Sequence, residues 1–122
     1  MQRDTRQRGA IRRVFMRVER PLTPDEVLEY GQQVVPSLGL ATVYRNVKAL
    51  AAEGWLSEVD LPGRGRRYEL AERPHHHHFL CRSCHQAFDV HRCPKEVEGL
   101  APEGFEVDGH ELVLFGRCAA CR

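Results

Sequence analysis

The stretch that decides the fold is Ala41–Leu70, ATVYRNVKALAAEGWLSEVDLPGRGRRYEL. Its first half repeats apolar residues at helical spacing: Val43, Val47, Leu50 and Ala51 share a face, Thr42, Arg45, Asn46 and Lys48 point away, and Tyr44 sits at the border. Gly54 ends that helix. The period then changes, and Leu56–Leu61 and Arg67–Leu70 read as two short strands around the turn residues Pro62, Gly63, Arg64 and Gly65. A helix followed by a hairpin with arginines at its tip is the second half of a winged helix.

Upstream, Ile11, Val14, Phe15 and Val18 mark an amphipathic helix over Arg6–Val18 that stops before Pro21. Thr23 is a fitting N-cap for the next, with Pro24 at its first position and Asp25 and Glu26 in its first turn; the pattern runs on towards Val34 and stops before Pro36. Three helices and a hairpin predict a domain whose third helix enters a DNA major groove while the hairpin lies along the phosphates. Charge agrees: the first twenty residues hold seven arginines against Asp4 and Glu19, and residues 1–74 hold 13 Lys/Arg against 10 Asp/Glu. Residues 75–122 reverse the sign, with 5 against 7.

From Phe79 the pattern becomes strand-rich, with strands expected at Phe79–Cys81, Ala87–Val90, Phe105–Val107 and Glu111–Phe115 and a short helix over Pro94–Leu100. This second unit has few apolar residues and needs a metal and a partner subunit to be stable. The expected division is 1–74 for a DNA-binding domain with wing and hinge, and 75–122 for a metal-binding dimerisation domain, an α+β chain overall. The arginine-rich start is no signal peptide, and no apolar run is long enough to span a bilayer, so the sequence reads as a soluble cytoplasmic protein.

The five cysteines are an odd count for a disulfide framework and in a reducing compartment read as metal ligands. Cys81-Arg82-Ser83-Cys84 and Cys118-Ala119-Ala120-Cys121 are two CxxC knuckles separated by 33 residues. Each brings two sulfurs to tetrahedral spacing, and together they make a closed structural zinc site with no open position for substrate. Cys93 is left over and reads as a semi-exposed thiol without function, redox sensing being the lesser alternative.

His75–His78 precede the first knuckle. In an extended segment His76 and His78 share one face, His75 and His77 the other. Glu69 and Asp89 are carboxylate partners for the first pair, and that nitrogen and oxygen set suits Zn2+, Fe2+ or Mn2+. Glu96 and His110 are partners for the second.

Gly39-Leu40-Ala41-Thr42-Val43-Tyr44-Arg45 with Leu50, the His75–His78 run before Cys81 and Cys84, and the final Cys118 and Cys121 together resemble the ferric uptake regulator family, over nearly the whole chain from Thr5-Arg6-Gln7-Arg8 to Cys121. The resemblance implies a winged helix plus an α/β dimerisation domain. It implies that Ala41, Thr42, Tyr44 and Arg45 belong to the recognition helix, that Cys81, Cys84, Cys118 and Cys121 hold structural zinc, and that Glu69, His76, His78 and Asp89 match the sensory site. His75, His77, Glu96 and His110 match a second site found in some members. Two departures stand out: Pro21 occupies the place where many iron and peroxide sensors carry a histidine, which argues against peroxide sensing through that ligand, and no cysteine precedes Cys81, where zinc sensors often use one. The sensed metal is open, with Fe2+ slightly ahead of Mn2+ and Zn2+.

The reading is a metal-dependent repressor that binds a palindromic operator in double-stranded DNA as a homodimer, with Arg64 and Arg66 on phosphates and Tyr44 and Arg45 on bases. A constitutive zinc-stabilised DNA-binding protein and a small metallohydrolase are its rivals.

Overall fold

The computed structural model describes residues 2–61 and 65–122. The chain divides into two compact units, Met1–Arg73 and Pro74–Arg122.

The first unit is a winged helix. Helix α1 spans Gln2–Arg17, α2 Pro24–Gly31 and α3 Leu40–Ala52, followed by strands β1, Leu56–Val59, and β2, Arg67–Leu70. Helix α2 begins in a full capping box: Thr23 Oγ1 accepts from the Glu26 N–H at 3.2 Å, and Glu26 Oε1 accepts from the Thr23 N–H at 2.9 Å. Glu26 also pairs with the nearly buried Arg20, whose Nη1 lies 3.1 Å from Oε2, so the cap is tied to the segment that follows α1. The helix stops at Gly31, short of the expected Val34. There the chain bends so sharply that a Cβ built on Gly31 would stand 2.6 Å from Leu38 Cδ2. Helical-type bonds run on past Gly31, Val34 N–H and Val35 N–H both to Gly31 O at 3.0 and 2.9 Å, until Pro36, which cannot extend a helix.

Helix α3 ends in a Schellman motif: the Trp55 N–H bonds to Leu50 O at 3.0 Å, the Gly54 N–H to Ala51 O at 3.1 Å, and Gly54 adopts φ +84°, the left-handed conformation that favours glycine. That stop turns the chain directly into β1. Strands β1 and β2 pair antiparallel in the register Leu56↔Leu70 and Val59↔Arg67. The segment after α1 adds a single bridge, Leu22 and Tyr68 exchanging two 2.9 Å hydrogen bonds. Strand β1 closes at Val59 where the sequence pattern runs to Leu61; the turn residues Pro62, Gly63 and Arg64 lie outside the described residues. Ile11, Phe15, Leu22, Val27, Val43, Val47 and Leu50 form one core between the helices and the hairpin. Val43, Val47 and Leu50 are spent there, which leaves the opposite face of α3 to solvent.

The second unit is a three-stranded sheet, β3 (His77–Cys81), β4 (Ala87–Val90) and β5 (Val113–Gly116), in the order β4-β3-β5. Strand β3 runs antiparallel to β4 and parallel to β5. The expected helix over Pro94–Leu100 is a 3₁₀ helix, Lys95–Leu100. The expected strand Phe105–Val107 is absent: Phe105 donates its N–H to Pro102 O in a turn, at 3.0 Å, and is 71% exposed. The segment pairs with none of the three strands of the sheet, and a strand exists only where a ladder partner exists. Few side chains in this unit are buried, chiefly His77, Leu80, Cys81 and Ala87.

Candidate metal centres and nucleic-acid face

Cys81 ends β3 and Cys84 lies in the turn behind it, while Cys118 and Cys121 follow β5, the parallel neighbour of β3. Pairing of these strands sets the two knuckles side by side, and the four Sγ atoms lie within 4.8 Å of one another. The first knuckle turns through His85, whose N–H bonds to Cys81 O at 2.9 Å and whose φ is +64°. Cys84 Sγ and Cys118 Sγ stand 3.8 Å apart. The edge of a tetrahedron of thiolates around zinc is also about 3.8 Å, from Zn–S bonds of about 2.3 Å.

The donor set is electrostatically suited to a cation. Cys81 Sγ accepts the backbone N–H groups of Cys84 and Cys118, each at 3.4 Å, and these bring its pKa down to about 5. At Cys84 the backbone N–H of Gln86 lowers the pKa, but burial and the sulfurs of Cys81, Cys121 and Cys118 outweigh it and push the thiol up to about 12. At Cys121 the Ser83 hydroxyl lowers the pKa, and the sulfurs of Cys118 and Cys81 with burial reverse it. One sulfur ionises readily and its neighbours resist, since a second thiolate beside the first has no counter-charge. A divalent cation removes that resistance.

The histidine run divides by strand parity. On one face His76 Nε2 and His78 Nε2 lie 3.8 and 4.0 Å from Asp89 Oδ1, all three side chains being largely buried. His78 and Asp89 are direct partners across β3 and β4. His76 Nδ1 is 2.8 Å from Pro74 O; since a carbonyl only accepts, Nδ1 carries the proton and Nε2 keeps its lone pair towards Asp89. Glu69 belongs to the first unit, on β2, where it is nearly buried with Oε1 3.5 Å from Arg73 Nη1.

On the other face His75, His77 and His110 bring their Nε2 atoms together at 3.1, 3.2 and 3.3 Å. The fourth group is Cys93, whose Sγ lies 3.0 Å from His110 Nε2 and 3.5 Å from His75 Nε2. Glu96, exposed in the 3₁₀ helix, is not among the converging groups. The sequence carried no signal for Cys93, because a lone cysteine just after a strand has no ligand spacing of its own. His77 is buried, and burial, then the neighbouring His75, His110, His78 and His76, hold its pKa below the usual histidine value.

The solvent face of α3 presents Ala41, Tyr44 and Arg45 exposed and Thr42 half-buried. Arg45 Nη2 donates to Thr42 Oγ1 at 3.2 Å, and Asn46 Nδ2 to Thr42 O at 2.8 Å. Arg8 Nε donates to Asn46 Oδ1 at 3.3 Å, so the arginine-rich side of α1 adjoins this face. Arg66 is exposed on the hairpin, with Nε 3.1 Å from Glu58 Oε1; Arg64 lies outside the described residues. Pro21, at the position of the histidine of many iron and peroxide sensors, is fully buried beside the Leu22–Tyr68 bridge. Among the described residues no helix is long and apolar enough to cross a membrane.

These features have counterparts in known proteins. The family model described as the ferric uptake regulator family matches residues 2–115. The ferric uptake regulation protein of Campylobacter jejuni is 30% identical over 122 residues, covering 96% of this chain and 78% of the relative. The zinc uptake regulation protein of Mycobacterium tuberculosis is 31% identical over 125 residues, covering 98% and 95%. Among solved structures, the Helicobacter pylori ferric uptake regulator, described as having three functional metal binding sites, superposes with a TM-score of 0.72 at 27% identity, covering 94% of this chain and 79% of that one. With its winged helix, its paired CxxC knuckles and this match across residues 2–115, the chain belongs to the ferric uptake regulator family of metal-responsive transcriptional regulators.

Proposed function

We propose that this protein is a cytoplasmic repressor that binds a palindromic operator as a homodimer when a divalent metal occupies a sensory site made by Glu69, His76, His78 and Asp89. The observation that carries the reading is the orientation of His76 and His78, both aimed at Asp89 with the His76 tautomer fixed by Pro74 O. Imidazoles so held bind a divalent cation with little ordering cost. Glu69 is seven residues of chain away from His76 and is the ligand that would make occupancy matter to the winged helix. A coupling on the order of 1–3 kcal/mol between metal and one arrangement of the DNA-binding units is enough for switching.

Cys81, Cys84, Cys118 and Cys121 hold a zinc whose role is folding, because a closed four-sulfur site leaves no coordination position for anything else. Leu100, Phe105, Leu114 and Phe115 in the second unit are exposed large apolar side chains, in keeping with a second copy of the chain as partner. Ala41, Thr42, Tyr44 and Arg45 face the bases, with Arg66, Arg64 and the arginines of α1 on phosphates. Nitrogen and carboxylate ligands leave Fe2+, Mn2+ and Zn2+ all eligible for the sensory site.

The test is to count metals in the purified protein and titrate Fe2+, Mn2+ and Zn2+ into an operator-binding assay. Tightening by one of them at constant zinc content supports sensing and names the metal; operator affinity that ignores all three replaces it with constitutive binding.

A further inference from the structure

We propose that Cys93, and not Glu96, is the fourth ligand of a second exchangeable metal site with His75, His77 and His110, a three-imidazole, one-thiolate site that takes zinc-class cations. The inference does not depend on DNA binding or on the Glu69, His76, His78 and Asp89 set.

The geometry is that of a coordination shell. Around a tetrahedral zinc, bonds of about 2.0–2.1 Å to nitrogen and about 2.3 Å to sulfur give nitrogen–nitrogen edges of about 3.4 Å and nitrogen–sulfur edges of about 3.5 Å. The three nitrogen edges here are 3.1, 3.2 and 3.3 Å, and the two sulfur edges are 3.0 and 3.5 Å. The donors come from four pieces of chain that strand pairing brings to one end of the sheet: the lead into β3, β3 itself, the segment after β4, and the segment before β5.

Charge explains why a thiolate matters. Leu112 donates its N–H to His77 Nδ1 at 3.2 Å, so the neutral His77 ring carries its proton on Nε2, inside the cluster. To bind metal through Nε2 this ring must move the proton to Nδ1 and give up the Leu112 bond. Three neutral imidazoles would bring no negative charge to offset that cost; ionised Cys93 brings a full one and is a softer donor than the carboxylate of Glu96. The resulting set favours Zn2+ and Co2+ over Mn2+ and Fe2+ and so differs in preference from the nitrogen and oxygen set on the opposite face of β3.

Cobalt tests this directly. Co2+ is added to protein that retains its one tightly held zinc, zinc is counted before and after, and the near-ultraviolet sulfur-to-cobalt charge-transfer band is recorded for the natural chain, Cys93→Ser and Glu96→Gln. The natural chain and Glu96→Gln should develop the band at one equivalent with zinc unchanged, and Cys93→Ser should not. Zn2+ affinity at this site should fall in Cys93→Ser by more than the about 10- to 100-fold that loss of an outer-shell partner costs. Cys93 is exposed, so its replacement leaves the fold intact, and alkylation of its thiol gives a second readout that Co2+ should block. Four results would overturn the proposal: a band that survives in Cys93→Ser, a band lost in Glu96→Gln, a band that appears only as zinc is released, or a Cys93 that alkylates equally fast with and without Co2+. None of them bears on operator binding, so failure here is distinguishable from failure of the sensory reading.

Discussion

His78 and Asp89 face each other across the antiparallel pair β3 and β4, and His78 Nε2 comes within 4.0 Å of Asp89 Oδ1. Backbone register alone delivers this pair, with His76 arriving from two residues earlier on the same face at 3.8 Å from the same oxygen.

Asp89→Asn keeps the shape of the site and removes its charge. It should weaken the exchangeable metal that controls operator binding by more than about 100-fold, since even outer-shell losses cost about 10- to 100-fold. Zinc content should stay constant. Metal-dependent operator binding that is unaltered in this variant rules out Asp89 as a ligand.

Cys118→Ser removes one of the four proposed zinc ligands while keeping the backbone N–H at position 118 that bonds to Cys81 Sγ. Structural zinc contributes on the order of 10–16 kcal/mol in small metal-dependent folds, far more than the few buried side chains of this unit supply. The expected outcome is a protein that lacks zinc, loses β-sheet signal by circular dichroism and keeps the helical signal of the first unit. A zinc-free variant with an intact sheet would contradict a folding role for the metal.

Arg45→Glu reverses a charge on the exposed face of α3 without touching the core. Operator affinity should fall at least about fivefold, the lower end of what one specific base contact contributes, while zinc content and thermal midpoint hold. Fluorescence anisotropy over a range of salt reads the effect. Equal loss of zinc and fold would assign Arg45 a structural role instead.

Gly31→Ala places a methyl 2.6 Å from Leu38 Cδ2, and Leu38 is buried, so any shift must displace its core neighbours. Alanine would normally gain up to about 1 kcal/mol over glycine in a helix, but overpacking costs about 1–3 kcal/mol. Overpacking wins, and a thermal melt should show the first unit destabilised by several degrees. A higher midpoint would mean that the turn after α2 can shift.

Burial, helped by the four other histidines, keeps the His77 pKa below its ordinary 6.5, so the unfolded chain binds this proton more readily than the folded one. The stabilisation that results is fully present above pH 6.5 and is lost as pH falls from there towards the lowered value. Protein with its exchangeable metals stripped but zinc retained should therefore melt earlier on acidification through this range, and His77→Asn should be less sensitive. An identical pH profile for the two would remove His77 as the source.

The sequence by itself determined the elements that rest on local rules. Thr23, Pro24 and Glu26 fix the start of α2, and Gly54 fixes the end of α3, because caps are set by neighbours one to five residues apart. The division of His75–His78 between two faces follows from the two-residue period of a strand and needs no partner to be stated. The tertiary structure decided what depends on distant chain. Phe105–Val107 has strand composition but follows a turn closed by the Phe105 N–H on Pro102 O and pairs with none of the three strands. Position 31 needs a glycine because Leu38 packs where a Cβ would stand, 2.6 Å from its Cδ2. Cys93 joins His110 because the segments after β4 and before β5 meet beside β3, whereas Glu96, which the family resemblance matched to this site, is exposed on the 3₁₀ helix. Periodicity reports which way a side chain points, and only the packing of strands from distant parts of the chain decides what it points at.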